Sequence, residues 1–215
     1  MPESLDKQIN DARLRLTNAK TDPDLQAKLA PRGYTPDALD AGLALHKTAE
    51  DAQNRVAKEV GERKAATDAL AEAFEHAREL YGPHRGFARV VFKDDRDART
   101  ALGLDGRVKR TTAGWLRQAS QFYANALASD DYVAEFEGIG ILRAELEEGQ
   151  GRVAAVAAAD EKQEREKGDA QNATPKRDAA LEALDEYMDR FLGIARVALR
   201  DEPQLLEKLM ITAPS

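Results

Sequence analysis

Gly86-Phe87-Ala88-Arg89-Val90-Val91-Phe92-Lys93-Asp94-Asp95 returns 107 positions later as Gly193-Ile194-Ala195-Arg196-Val197-Ala198-Leu199-Arg200-Asp201-Glu202. The same offset lays residues 33–104 on 140–211 without a gap, and 17 of those 72 positions are identical. Unrelated chains of ordinary composition would agree at about five. Gly33/Gly140, Leu39/Leu146, Gly42/Gly149 and Gly61/Gly168 are among the identities. Chance likeness between two Ala- and Glu-rich segments would need gaps and would lose register. The chain therefore reads as one design used twice, in a unit longer than a solenoid repeat. The expected architecture is all-α: two tandem up-and-down helical bundle repeats, residues 1–106 and 107–215, related by approximate two-fold symmetry.

Composition agrees with helices. Charged residues make up 33% of the 215, hydrophobic ones 42%, and aromatic ones only 6%. Strands would ask for more β-branched and aromatic side chains. The net charge of -7 argues against a general nucleic-acid binder, which would present a basic face. The small basic cluster Arg107-Val108-Lys109-Arg110 reads as a solvated linker where the copies join. With no cysteine, disulfide and thiol chemistry are excluded. The start Met1-Pro2-Glu3-Ser4-Leu5 lacks an apolar leader core, and no apolar run approaches the ~18 residues of a membrane span. The expected location is cytoplasmic.

Within one copy, Leu5, Ile9, Ala12, Leu16 and Ala19 fall on a single helical stripe, with Ser4 as its cap. Thr21-Asp22-Pro23-Asp24 breaks it, and Leu25 with Leu29 marks a short second helix. The second copy repeats this with Trp115, Ala119, Phe122, Tyr123 and Ala126, then Tyr132 with Phe136. Arg32-Gly33-Tyr34-Thr35-Pro36-Asp37-Ala38-Leu39 combines a left-handed stop, an N-cap, a first-turn proline and a Tyr34/Leu39 staple. A long helix starts there on the stripe Leu39, Leu43, His46, Ala49, Gln53, Val56 and Val60.

Gly61 and Gly168, each followed six residues on by Thr67 or Thr174, predict a hairpin in each copy. One continuous helix is the alternative, because Leu70, Phe74, Ala77 and Tyr81 extend the earlier spacing. The returning helix is expected to bury Leu70, Phe74, Ala77, Tyr81, His84, Ala88 and Val91. Pro83 is expected to kink or interrupt it. Segments from Ala98 to Leu104 and from Gln204 to Ile211 are expected to fold back on the bundles.

Glu75, Glu79, Gly86 and Arg89 share one side of the helical wheel, away from the core stripe. Their counterparts Glu182, Glu186, Gly193 and Arg196 are identical. These eight residues form the candidate inter-repeat or partner face, on which glycines would allow close approach and Glu would pair with Arg.

No catalytic constellation stands out. His46, His76 and His84 align with Val153, Ala183 and Phe191, so His46 and His84 read as core members. A Glu-x-x-His di-metal pattern is absent, since Leu43, Ala73 and Tyr81 precede the histidines by three. No phosphate-binding glycine loop or nucleophile elbow occurs. Catalytic, cofactor-binding and metal residues are accordingly assigned to none.

Around Gly193-Ile194-Ala195-Arg196-Val197-Ala198-Leu199 and Pro203-Gln204-Leu205-Leu206-Glu207-Lys208-Leu209, the chain resembles a group of uncharacterised bacterial all-helical proteins. Their two tandem bundle repeats cover nearly the whole chain. That resemblance implies a duplicated helical fold and brings no activity or site residues. The expected function is a non-enzymatic helical scaffold or protein–protein interaction protein, binding itself or another protein. The alternative is a bundle holding a small ligand or metal ion between helices, with His46, His84 and the Glu75/Glu79 pair as its only polar candidates.

Overall fold

The structure, a computed structural model, describes residues 4–212. The Met1-Pro2-Glu3 start lies outside the described residues. Helix α1 spans Leu5–Thr21, α2 Pro23–Leu29, α3 Pro36–Val91 and α4 Arg96–Ala101. They are followed by α5 Thr112–Ala128, α6 Asp130–Glu137, α7 Arg143–Ala198 and α8 Pro203–Lys208. No strand occurs among the described residues, and no helix among them is long and apolar enough to cross a membrane. Every helix start of the first four recurs 107 residues later.

The local signals act as their chemistry requires. The Ser4 hydroxyl accepts from the Lys7 amide at 3.3 Å, and Asp22 caps α2 by accepting from the Asp24 and Leu25 amides. Gly33 adopts φ 92°, and the Tyr34 amide reaches back to the Leu29 carbonyl at 3.1 Å. Gly140 and Ile141 repeat that closure on Phe136, with φ 85° and 3.0 Å. Thr35 then accepts from the Ala38 amide, and Pro36 opens α3.

The expected hairpins do not form. Gly61 and Thr67 lie inside α3, and Gly168 and Thr174 inside α7. A helical glycine costs only about 1 kcal/mol relative to alanine, less than a broken ladder of backbone hydrogen bonds. The Thr67 hydroxyl does not cap; it donates to the Arg63 carbonyl four residues back at 2.9 Å. Pro83 and Pro175 do not interrupt their helices either. Buried or half-buried positions at three- and four-residue steps run through both halves of α3, fully buried apolar ones from Leu39 to Ala49 and from Ala66 to Ala88.

The chain packs as two compact units, each drawing on both residues 1–106 and residues 107–215. The first comprises Met1–Val60 with Asp169–Ser215, and the second Gly61–Gly168. Because neither long helix turns back, its second half leaves the unit that holds its first half. The first unit joins α1, α2 and the start of α3 to the end of α7 and α8. Its core includes Leu16, Leu25, Leu29, Leu39, Phe191 and Leu206. The second joins α5, α6 and the start of α7 to the end of α3 and α4, around Tyr81, Leu102, Trp115, Phe122, Phe136 and Leu146. The folded-back segments deliver Leu102 and Leu104 to one core, and Leu205, Leu206, Leu209 and Ile211 to the other.

Candidate functional surfaces and pockets

The eight residues of the candidate face are all exposed: Glu75, Glu79, Gly86 and Arg89 on α3, and Glu182, Glu186, Gly193 and Arg196 on α7. A Cβ built on Gly86 or Gly193 would meet nothing within 4 Å, and among the described residues neither Arg89 nor Arg196 takes an ion pair. Glu75 pairs with Arg78 at 3.0 Å, and Glu79 receives Arg152 from α7 at 3.1 Å. The shared identity of these positions thus leaves a surface open to solvent.

Apolar side chains stand beside that surface. Val90 is 70% exposed and its counterpart Val197 79%, with Phe87 at 51%. In the first unit Ile194 borders a groove of about 300 Å³ with Gly33, Tyr34, Tyr187 and two arginines, Arg32 and Arg190. The Tyr187 hydroxyl donates to the Ala38 carbonyl at 2.6 Å. Burial pushes the Tyr187 phenol up to about 12, with the nearby Tyr34 phenol adding to the shift. The positions aligned with Arg32 and Arg190 are Ile139 and Pro83, so the cationic rim is not repeated.

His84, expected as a core member, is one, but it is hydrogen-bonded. In the second unit its Nδ1 lies 3.1 Å from the Tyr123 hydroxyl and its Nε2 2.9 Å from Glu145 Oε1. Burial raises the Tyr123 phenol well above its ordinary value, so it stays protonated. Both ring nitrogens of His84 and the Tyr123 hydroxyl are thus answered within the cluster. The aligned residues in the first unit are Phe191, Leu16 and Ala38, an apolar version of the same place. Tyr123 and Glu145 lie 39 and 61 residues from His84. No local spacing could have linked them.

His46 differs. It is only 5% exposed, yet its ring takes no hydrogen bond among the described residues. It lines a pocket of the first unit with Asp6, Asn10 and Arg13 from α1 and Glu50 and Gln53 from α3. Gln53 Oε1 is buried without a donor. Arg13 donates to Asn10 Oδ1 at 2.9 Å, leaving the rest of its guanidinium free to face the pocket mouth. Burial holds the imidazole below its ordinary value; Glu50 opposes this, while Arg13 and Lys47 add to it. Sequence reading placed His46 and Gln53 on the buried stripe. It missed Asp6, Asn10 and Arg13, whose relevance depends on α1 lying alongside α3. Among the described residues, neither His46 nor His84 gathers two further His, Asp or Glu ligand atoms closely enough to share an ion.

Compared with protein-family models, curated proteins and solved structures, the chain matches none.

Proposed function

We propose that the protein is a non-enzymatic helical scaffold that works by docking, through the exposed sides of α3 and α7 around Gly86 and Gly193. The observation that carries this reading is the matched exposure of Val90 and Val197. Single exposed apolar residues are ordinary. Here the same position of both long helices presents a valine beside a glycine that nothing covers.

The occupant is a second copy of this chain. On α7, Glu186 and Arg196 lie five residues either side of Phe191, and neither has an ion-pair partner among the described residues. A second α7 laid antiparallel over the same turn sets Glu186 against Arg196 twice, while Gly193 lets the backbones approach. Such rim pairs contribute only about 0.2–1 kcal/mol each and act mainly on orientation. Burial of Val197, 79% exposed in one chain, supplies the affinity.

The approximate two-fold relation of the repeats belongs to the same reading. Each unit takes two short helices and the start of a long helix from one repeat. The end of the other long helix and its closing short helix come from the second repeat. Head-to-tail fusion of two chains that once exchanged these parts would leave that arrangement.

Size-exclusion chromatography with light scattering over a hundredfold concentration range tests the occupant. A concentration-dependent dimer that Val197→Glu abolishes is the expected result. A monomer throughout, or a dimer indifferent to both Val197→Glu and Val90→Glu, would remove this face from the account.

A further inference from the structure

The duplication supplies an internal control for the His46 pocket. The positions aligned with Asp6, Ile9, Arg13, His46, Glu50 and Gln53 are Ala113, Leu116, Ser120, Val153, Ala157 and Asp160. Val153 is buried in the second unit's core, with Leu116 packed against that core. The helix pair α5/α7 therefore closes over an apolar contact where α1/α3 encloses a polar one. The fold does not require a histidine, an orphaned amide oxygen or a pair of carboxylates at this place.

A buried polar group without a partner costs about 1–3 kcal/mol, and an apolar replacement would relieve it. Here one such group, Gln53 Oε1, faces a cavity of about 170 Å³ beside the His46 ring, which is 5% exposed and takes no hydrogen bond among the described residues. That volume is below the ~300–1,000 Å³ usual for drug-sized ligands, and suits a small metabolite. Its lining divides by charge. Asp6, Glu50 and Gln53 Oε1 accept hydrogen bonds and call for a cationic donor. Arg13 offers N–H donors and calls for an anion. The His46 imidazole, neutral at pH 7, can give one hydrogen bond and receive one.

We propose that this pocket binds a small zwitterion of amino-acid size. Its ammonium group is held among Gln53 Oε1, Glu50 and Asp6, its carboxylate by Arg13, and its body rests against His46 and Ile9. The site serves the first unit alone and does not depend on how the protein associates.

Thermal melts and isothermal titration of the full chain with each standard amino acid test this proposal, alongside putrescine (two ammonium groups) and succinate (two carboxylates). At least one amino acid is expected to raise the Tm by about 5–10 °C at a hundredfold excess over its Kd. The same ligand is expected to move the His46 ring resonances in ¹⁵N-detected NMR. His46→Val, the residue its twin position carries, and Arg13→Gln, a change on the exposed side of α1, should each weaken binding at least tenfold. Should His46→Val fail to fold, Arg13→Gln carries the test. Three results would each overturn the proposal: no amino acid shifting the melt, putrescine or succinate binding as tightly as the best amino acid, or undiminished binding by a folded variant.

Discussion

Replacing Gly149 by alanine should destabilise the second unit, although alanine is the better helix former. A Cβ on Gly149 would fall well inside van der Waals contact with Tyr123 Cζ, Cε1 and the hydroxyl oxygen. Tyr123 cannot easily yield. It is fully buried, stacked edge-on against Phe122 at 5.0 Å, and tied through its hydroxyl to His84. Overpacking of this kind costs about 1–3 kcal/mol, and loss of the His84–Tyr123 bond about 1 kcal/mol more. The helix-propensity gain returns about 1 kcal/mol. The net loss is about 1–3 kcal/mol, a fall of roughly 2–12 °C for a chain of this size. Gly86→Ala provides the contrast, because its Cβ would meet nothing within 4 Å. It should raise the Tm by about 1–4 °C through propensity alone. Far-UV circular dichroism melts of the two variants read both effects. If Gly149→Ala melts at or above the parent chain, Tyr123 does not occupy the space beside α7 and the packing of this core is wrong.

Gly61→Ala and Gly168→Ala should each add about 0.5–1 kcal/mol in chemical denaturation, since both sit in open helix interior. A loss at either would mean that the backbone turns there. His84→Phe, which copies Phe191, should cost about 1–3 kcal/mol in urea unfolding by leaving the buried Tyr123 hydroxyl without a partner. A neutral result would show that water or another group answers Tyr123. The Tyr187 phenol is raised in the folded state, so its contribution to stability is complete below the unfolded value near 10 and is lost as pH climbs to about 12. Stability followed across that window should fall more steeply for the parent chain than for Tyr187→Phe, and equal slopes would contradict the shift.

Class and element placement were legible in the sequence because they are local. The caps at Ser4 and Thr35, the break at Asp22-Pro23 and the left-handed closure at Gly33 need only neighbouring residues. The stripe through Leu70, Ala77, Tyr81 and Ala88 marks a buried face by its period alone. Periodicity names that face but not its partner. Thus the end of α7, rather than the end of α3, completes the core around Leu16 and Leu39. The same gap explains the hairpins. Gly61 with Thr67 is a turn signal worth about 1 kcal/mol, which an unbroken backbone hydrogen-bond ladder and the packing of α3 on either side, at Leu39 to Ala49 and Ala66 to Ala88, outweigh. The polar residues Asp6, Arg13, His46 and Gln53 were visible singly, and only tertiary packing makes them one pocket. What a helix is follows from residues three and four apart; what it touches is decided by elements a hundred residues away, whose buried faces compete for the same contact.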